Sequence, residues 1–216
     1  MKILIVGDQH LSGYGLAAGQ RSFVSHFVRQ ISQSGQTLAI EARVRTSRAG
    51  IQQAMQQLSL ERYDLIVWQC GNGCADHPLL AEKLASPGWF HQLKQRLRAL
   101  THPDHPLKTI RNDLGTILQL LKPQRHKVLI LTPIPNQQPV ENWLLDQARQ
   151  HLLHESYRQG FSIFDTSSLI RAAPEYFQDR QPAYLNAVGH ELLGQALFDF
   201  YQATPTIVAI RSIRRD

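Results

Sequence analysis

Apolar positions along this chain fall into short unbroken runs separated by longer stretches at helical spacing. Ile3-Leu4-Ile5-Val6 stops at Gly7 and predicts a strand buried on both faces. Ser22 to Ser34 carries Phe23, Phe27, Val28 and Ile31 at helical spacing, with Gly35 where a helix would stop. Thr37 to Val44 alternates Leu38, Ile40, Ala42 and Val44 with polar positions, as a second strand would. Gly50 to Leu60 predicts a helix with Ile51, Ala54, Met55 and Leu58 on one face. Asp64 to Gln69 is the clearest buried strand, ending in the turn Cys70-Gly71-Asn72-Gly73. Leu79 to Leu121 reads as mostly helical, interrupted near His102-Pro103-Asp104-His105-Pro106. Lys127 to Thr132 is a strand closed by Pro133-Ile134-Pro135, Glu141 to Tyr157 a helix, and Gly160 to Asp165 a fifth strand. Asn186 to Tyr201 is the last long helix, with Leu192, Leu193, Ala196 and Leu197 inward, and Ile207 to Ile210 reads as an extra edge strand.

Strands alternating with helices predict an α/β protein: three layers, doubly wound, with a mainly parallel, flavodoxin-like sheet. Right-handed crossovers put every strand C-terminus on one edge, where ligands bind in such sheets. Three polar turns meet there: Gly7 to Ser12, Cys70 to Asp76, and the loop before the last helix. With no repeat, linker or low-complexity segment, one domain is expected over residues 1–216.

Hydrophobic residues make up 43% of the chain and charged residues 19%, a globular balance. Two cysteines, Cys70 and Cys74, argue against a disulfide framework and fall short of a structural zinc site, so both are read as small buried or loop residues. No cofactor or metal is expected. Asp76, His77, His102, Asp104 and His105 have metal-ligand chemistry but are read as solvated loop residues. The net charge of +6 is spread over small groups, among them Arg43, Arg45 and Arg48, without interleaved aromatics. A solvated surface is preferred to nucleic-acid binding. The apolar start is too short for a secretory signal, and no run approaches the ~18 residues of a membrane span. A cytoplasmic location is expected.

The first turn, Gly7-Asp8-Gln9-His10-Leu11-Ser12-Gly13, resembles the Gly-Asp-Ser block of the SGNH/GDSL hydrolases. Gly71-Asn72 is similar to that family's Gly-x-Asn-Asp block, without the spacer residue. Leu185-Asn186-Ala187-Val188-Gly189-His190 resembles the start of its last helix. The resemblance implies an SGNH-hydrolase-like fold and an acyl ester or glycosidic ligand. It also implies departures. Gln9 stands at the nucleophile position, and a carboxamide forms no ester intermediate. Tyr184 replaces the catalytic histidine and Gln181 the aspartate, with Asp179 nearby. Ser47, or Gly50 in a shifted register, takes the place of the oxyanion glycine.

The expected pocket therefore consists of Asp8, Gln9, Ser47, Gly71, Asn72 and Tyr184, with no intact catalytic set. Asp8 is read as fixing its turn through loop amides. Gln9 either contacts ligand or packs in the loop, and Tyr184 either binds ligand or plugs the cleft. His10 and Ser12 are read as exposed loop residues, and His190 as packed or capping. Trp68 is read first as core; Trp89, Phe90 and Trp143 are further candidates for an apolar lining. The favoured reading is a degenerate SGNH-like protein that binds a small molecule or a protein partner without serine ester hydrolysis. One alternative is an esterase or acyltransferase with Ser12, Cys70 or Cys74 as displaced nucleophile. The others are a non-catalytic interaction module and a nucleic-acid binder using Arg43 to Arg48.

Overall fold

The computed structural model describes residues 1–45, 47–71 and 104–204. Five parallel strands form the sheet: β1 (Lys2–Gly7), β2 (Ala39–Val44), β3 (Leu65–Gln69), β4 (Val128–Leu131) and β5 (Ser162–Phe164). Their order is β2-β1-β3-β4-β5, all parallel, with β1 at the point where the chain reverses its direction across the sheet. The continuous apolar runs are explained by burial: every residue of β3 and β4 is covered on both faces.

The helices divide between those faces. On one side lie α1 (Phe23–Gln33) and α5 (Ala187–Ala203), which bury Phe23, Phe27, Leu193, Leu197 and Tyr201 against Ile3, Ile5 and Val67. On the other lie α2 (Arg48–Gln57), α3 (Asp104–Leu121) and α4 (Pro139–Gln159), which cover Leu4, Val6, Ile66, Trp68 and Ile130. The strands thus supply alternate side chains to two cores. Trp68 is wholly buried, as core packing requires.

Local signals set the helix ends. Ser22 and Asn186 cap α1 and α5, their side-chain oxygens accepting from Ser25 and Gly189 backbone N–H groups. Gly160 ends α4 in the left-handed conformation at φ 74°, where a Cβ would be strained. Helices α1 and α5 touch closely at Gly194, where an added Cβ would stand 2.7 Å from Phe23 O.

Some expectations change. Leu192 was expected inward but is 36% exposed, because the buried stripe of α5 follows Leu193, Gly194 and Leu197. In β2, Ile40 and Ala42 are exposed, since this strand is the sheet edge and lies beyond the cover of α1. A hairpin of β6 (Phe177–Gln178) and β7 (Gln181–Leu185) occupies what reads as irregular loop. Cys70 is buried, as expected, but is disulfide-bonded, where no disulfide was expected. Ile207 to Ile210, Trp89, Phe90, Asn72, Cys74, Asp76, His77 and His102 lie outside the described residues. No helix among the described residues is long and apolar enough to cross a membrane.

Candidate functional site

Strand β1 delivers the chain to Asp8, which starts a short 3-10 turn, Gln9–Ser12. The Asp8 backbone N–H donates to Gln69 Oε1 at 2.9 Å, tying the ends of β1 and β3. Gly71 closes this junction. A Cβ there would fall 2.4 Å from Asp8 Cβ, so no larger residue fits without a shift. Asp8 and Gly71 are therefore neighbours, as expected of two strand-end turns on one sheet edge.

Asp8 Oδ1 accepts from the His10 backbone N–H at 2.9 Å and also meets His10 Nδ1 at 2.8 Å. An ionised carboxylate can only accept, so His10 Nδ1 is the donor. His10 is 1% exposed, which corrects its reading as an exposed loop residue. The cap geometry turns its side chain back under Asp8, because an Asx-type cap binds the amide two residues on. Ser12 faces elsewhere: its Oγ donates to Gln9 O at 2.8 Å. His10 and Ser12 are not paired.

Tyr184 enters from β7. Its hydroxyl donates to Gln9 Oε1 at 2.5 Å, so the side chains at the expected nucleophile and base positions bond to each other. Above this bond Tyr14 packs on Tyr184 at 4.9 Å between ring centroids, and beneath it Tyr184 meets the His10 ring at 5.3 Å. Gln178 Nε2 joins the two loops by donating to Tyr14 O and Leu185 O. Gln181, at the expected orienter position, lies in the same hairpin.

Behind His10 stands His190, whose ring centroid is 6.2 Å away. His190 is wholly buried, its Nδ1 accepts from the Phe23 N–H at 3.1 Å, and it stacks on Phe23. Burial first, then the neighbouring His10 and His26 side chains, push its pKa down to about 3. It is a neutral packing residue that fixes the start of α1. Gln69 Nε2, His10 Nε2 and His190 Nε2 have no hydrogen-bond partner among the described residues.

Ser47 is the N-cap of α2, its Oγ accepting from Gly50 N–H at 3.2 Å. That bond occupies the Gly50 amide considered for an oxyanion. Cys70, in a disulfide, is no free nucleophile. Among the basic residues considered for nucleic acid, Arg43 is spent on Glu41, which Tyr63 and Arg62 also contact. The Tyr63 hydrogen bond, then Arg43, hold the Glu41 carboxyl below its usual range. Trp143 is 45% exposed on α4. No cluster of three metal-ligand side chains occurs among the described residues.

Two clefts lie away from Gln9 and Tyr184. One, about 210 Å³, lies beside the ends of β4 and β5, lined by Pro133, Pro135, Leu145, Arg149, Ile170 and Arg171 among others. Arg149 is held there by both oxygens of Asp165, at 2.8 and 2.7 Å, and by Asp146 at 3.0 Å. The other, about 510 Å³, is a polar groove between α3 and α4 with Arg111, Gly115, His151 and Glu155 on its walls.

No family model matches the sequence, and no curated protein matches it. Solved structures do. The chain aligns with a lipase/acylhydrolase from Enterococcus faecalis at TM-score 0.64 and 16% identity, over 93% of this chain and 95% of that one. It aligns with a putative lipolytic protein of the G-D-S-L family from Desulfitobacterium hafniense at TM-score 0.62 and 14% identity, over 92% and 98%. An acetylxylan esterase from Geobacillus stearothermophilus aligns at TM-score 0.63 and 13% identity, over 92% and 93%. The chain has an SGNH/GDSL hydrolase-like fold.

Proposed function

We propose that this protein is a degenerate SGNH-type domain that binds a small acylated or glycosidic molecule, or a protein partner, without serine ester hydrolysis. The observation that carries the reading is the Tyr184 to Gln9 hydrogen bond. A serine–histidine pair works because the imidazole takes the nucleophile's proton. A phenol donating to a carboxamide makes the same contact, but the amide oxygen is no acyl acceptor. Neighbours described as a lipase/acylhydrolase and an acetylxylan esterase support the ligand class. The exposed Trp143 and Tyr157 on α4 support the protein-partner alternative. The test is hydrolysis of a short-chain p-nitrophenyl ester by the wild type and by the Gln9→Ser, Tyr184→His double variant. A silent wild type beside a double variant with slow turnover supports the proposal. Wild-type turnover well above a mock preparation defeats it.

A further inference from the structure

We propose that β2 is the surface through which two copies of this chain associate, pairing antiparallel about a two-fold axis at Ala42 and joining two five-stranded sheets into one. The inference rests on where the edge strand points its backbone groups and on how its two charges fall.

Strand β2 pairs with β1 on one side and with no described strand on the other. The Ala39 N–H donates to Met1 O and the Arg45 N–H to Gly7 O, so odd-numbered residues turn their backbone groups toward β1. In a parallel strand a residue's N–H and C=O point to the same side, so Ile40, Ala42 and Val44 present theirs to the open edge. The Arg45 guanidinium already donates to Val44 O there, at 2.9 Å. Side chains alternate between the faces. Ile40 and Ala42 stand beside Ile3 and Ile5 on the α1 face, Glu41 and Arg43 beside Leu4 and Val6 on the α2 face. Ile40 is 42% exposed, and Ala42 and Arg43 are exposed. An uncovered edge of this kind is a template for another strand.

The charges choose the strand. An axis at Ala42 sets Ile40 opposite the partner's Val44 and Glu41 opposite the partner's Arg43. The even-numbered residues then form the hydrogen-bonded pairs, each exchanging both N–H···O bonds, because their backbone groups already face outward. Glu41 and Arg43 fall at the non-hydrogen-bonded positions, where Cα atoms approach to about 4.5 Å and side chains stand closest. The two-fold axis repeats the pair, so both carboxylates meet a guanidinium. Moving the axis to either neighbouring residue sets Glu41 against the partner's Glu41 or Arg43 against the partner's Arg43, and like charges directly opposite are destabilising. A strand carrying charge of one sign would repel every copy of itself; this one excludes the flanking registers and keeps the one at Ala42.

Both charges are also prepared for a partner. Glu41 Oε1 accepts from Arg43 Nε and Nη2 at 3.0 and 2.7 Å, and Arg43 Nη1 has no partner among the described residues. Glu41 Oε2 is anchored by the Tyr63 hydroxyl at 2.6 Å and by Arg62 Nη2 at 2.9 Å. A carboxylate already fixed in place loses little freedom when a second guanidinium arrives. The strand has six residues, so the contact is at the small end of protein interfaces, and the pair forms and parts with concentration.

The test is sedimentation equilibrium of the full chain between about 5 and about 500 µM, where the average mass should climb from monomer toward dimer. Ala42→Pro removes only a donor aimed at the open edge, so the chain keeps its own ladder, and the dissociation constant should rise at least about 10-fold. Arg43→Glu sets carboxylates opposite each other on both sides of the axis and should raise it at least about 10-fold as well. Arg43→Glu mixed with Glu41→Arg restores both opposite-charge pairs, so the mixture should associate more tightly than either variant alone. A wild type that stays monomeric throughout overturns the proposal. So does a dimer that Ala42→Pro and Arg43→Glu leave unchanged, because it then forms through another surface. A mixture no tighter than its two components overturns the register at Ala42.

Discussion

His190 is held neutral inside the protein by burial, and this has a consequence in acid. Its pKa is pushed down to about 3 from an ordinary 6.5. Below pH 6.5 the unfolded chain takes up a proton that the folded one refuses, so the folded state binds fewer protons and loses stability as pH falls. The stability is fully present above 6.5 and drains away between 6.5 and about 3, at about 1.4 kcal/mol per pH unit once well inside that window. Integrated from pH 6 to pH 4, His190 alone costs about 2.5 kcal/mol. Urea unfolding at pH 7, 6, 5 and 4 measures it, with His190→Gln as the reference. The variant does not titrate at this position, and carboxylates elsewhere affect both proteins alike. The wild-type curve should fall about 2.5 kcal/mol further than the variant's between pH 6 and 4. Parallel curves refute the reasoning, as does an imidazole resonance of His190 that titrates near 6.5 in the native protein.

Two further outcomes follow from particular contacts. Gly71→Ala places a Cβ 2.4 Å from Asp8 Cβ. It should cost about 1–3 kcal/mol in chemical denaturation, and an unchanged midpoint would show the junction to be slack. Asp165→Asn removes the partner that grips Arg149 with both oxygens, a contact that holds the Asp165 carboxyl below its ordinary 3.8. Both side chains are a quarter exposed, so the loss at pH 7 should be about 1 kcal/mol. That loss belongs to the ionised form, so the gap between wild type and variant should close as pH falls below 3.8; a gap independent of pH would assign it to packing.

Strands β1, β3 and β4 were readable because burial on both faces leaves an unbroken apolar run, and few other structures produce one. Asn186 and Ser22 could be placed because capping needs a short polar side chain immediately before an apolar period. The hairpin β6–β7 could not: β6 has two residues and β7 contains Pro182, so neither the alternation nor the composition of a strand is present. At the site, the positions of Asp8, Gln9 and Tyr184 were legible, but not their partners. His10 was missed because its burial depends on a cap that bends the turn inward, while its sequence neighbours are polar. The spacing of Asp8 and His10, a carboxylate two residues before an imidazole at the start of a turn, was the available signal. The exposure of Ile40 depends on β2 being the edge, which is a matter of strand order rather than local pattern.

The Tyr184 to Gln9 bond also bears on how positions 9 and 184 tolerate change. It joins the Gln9–Ser12 turn to the β6–β7 hairpin, so a substitution at either position loses a contact that belongs to both. Two residues in direct contact do not contribute additively, and libraries of single substitutions would report each position against a fixed partner. Only a paired library reads the coupling between them.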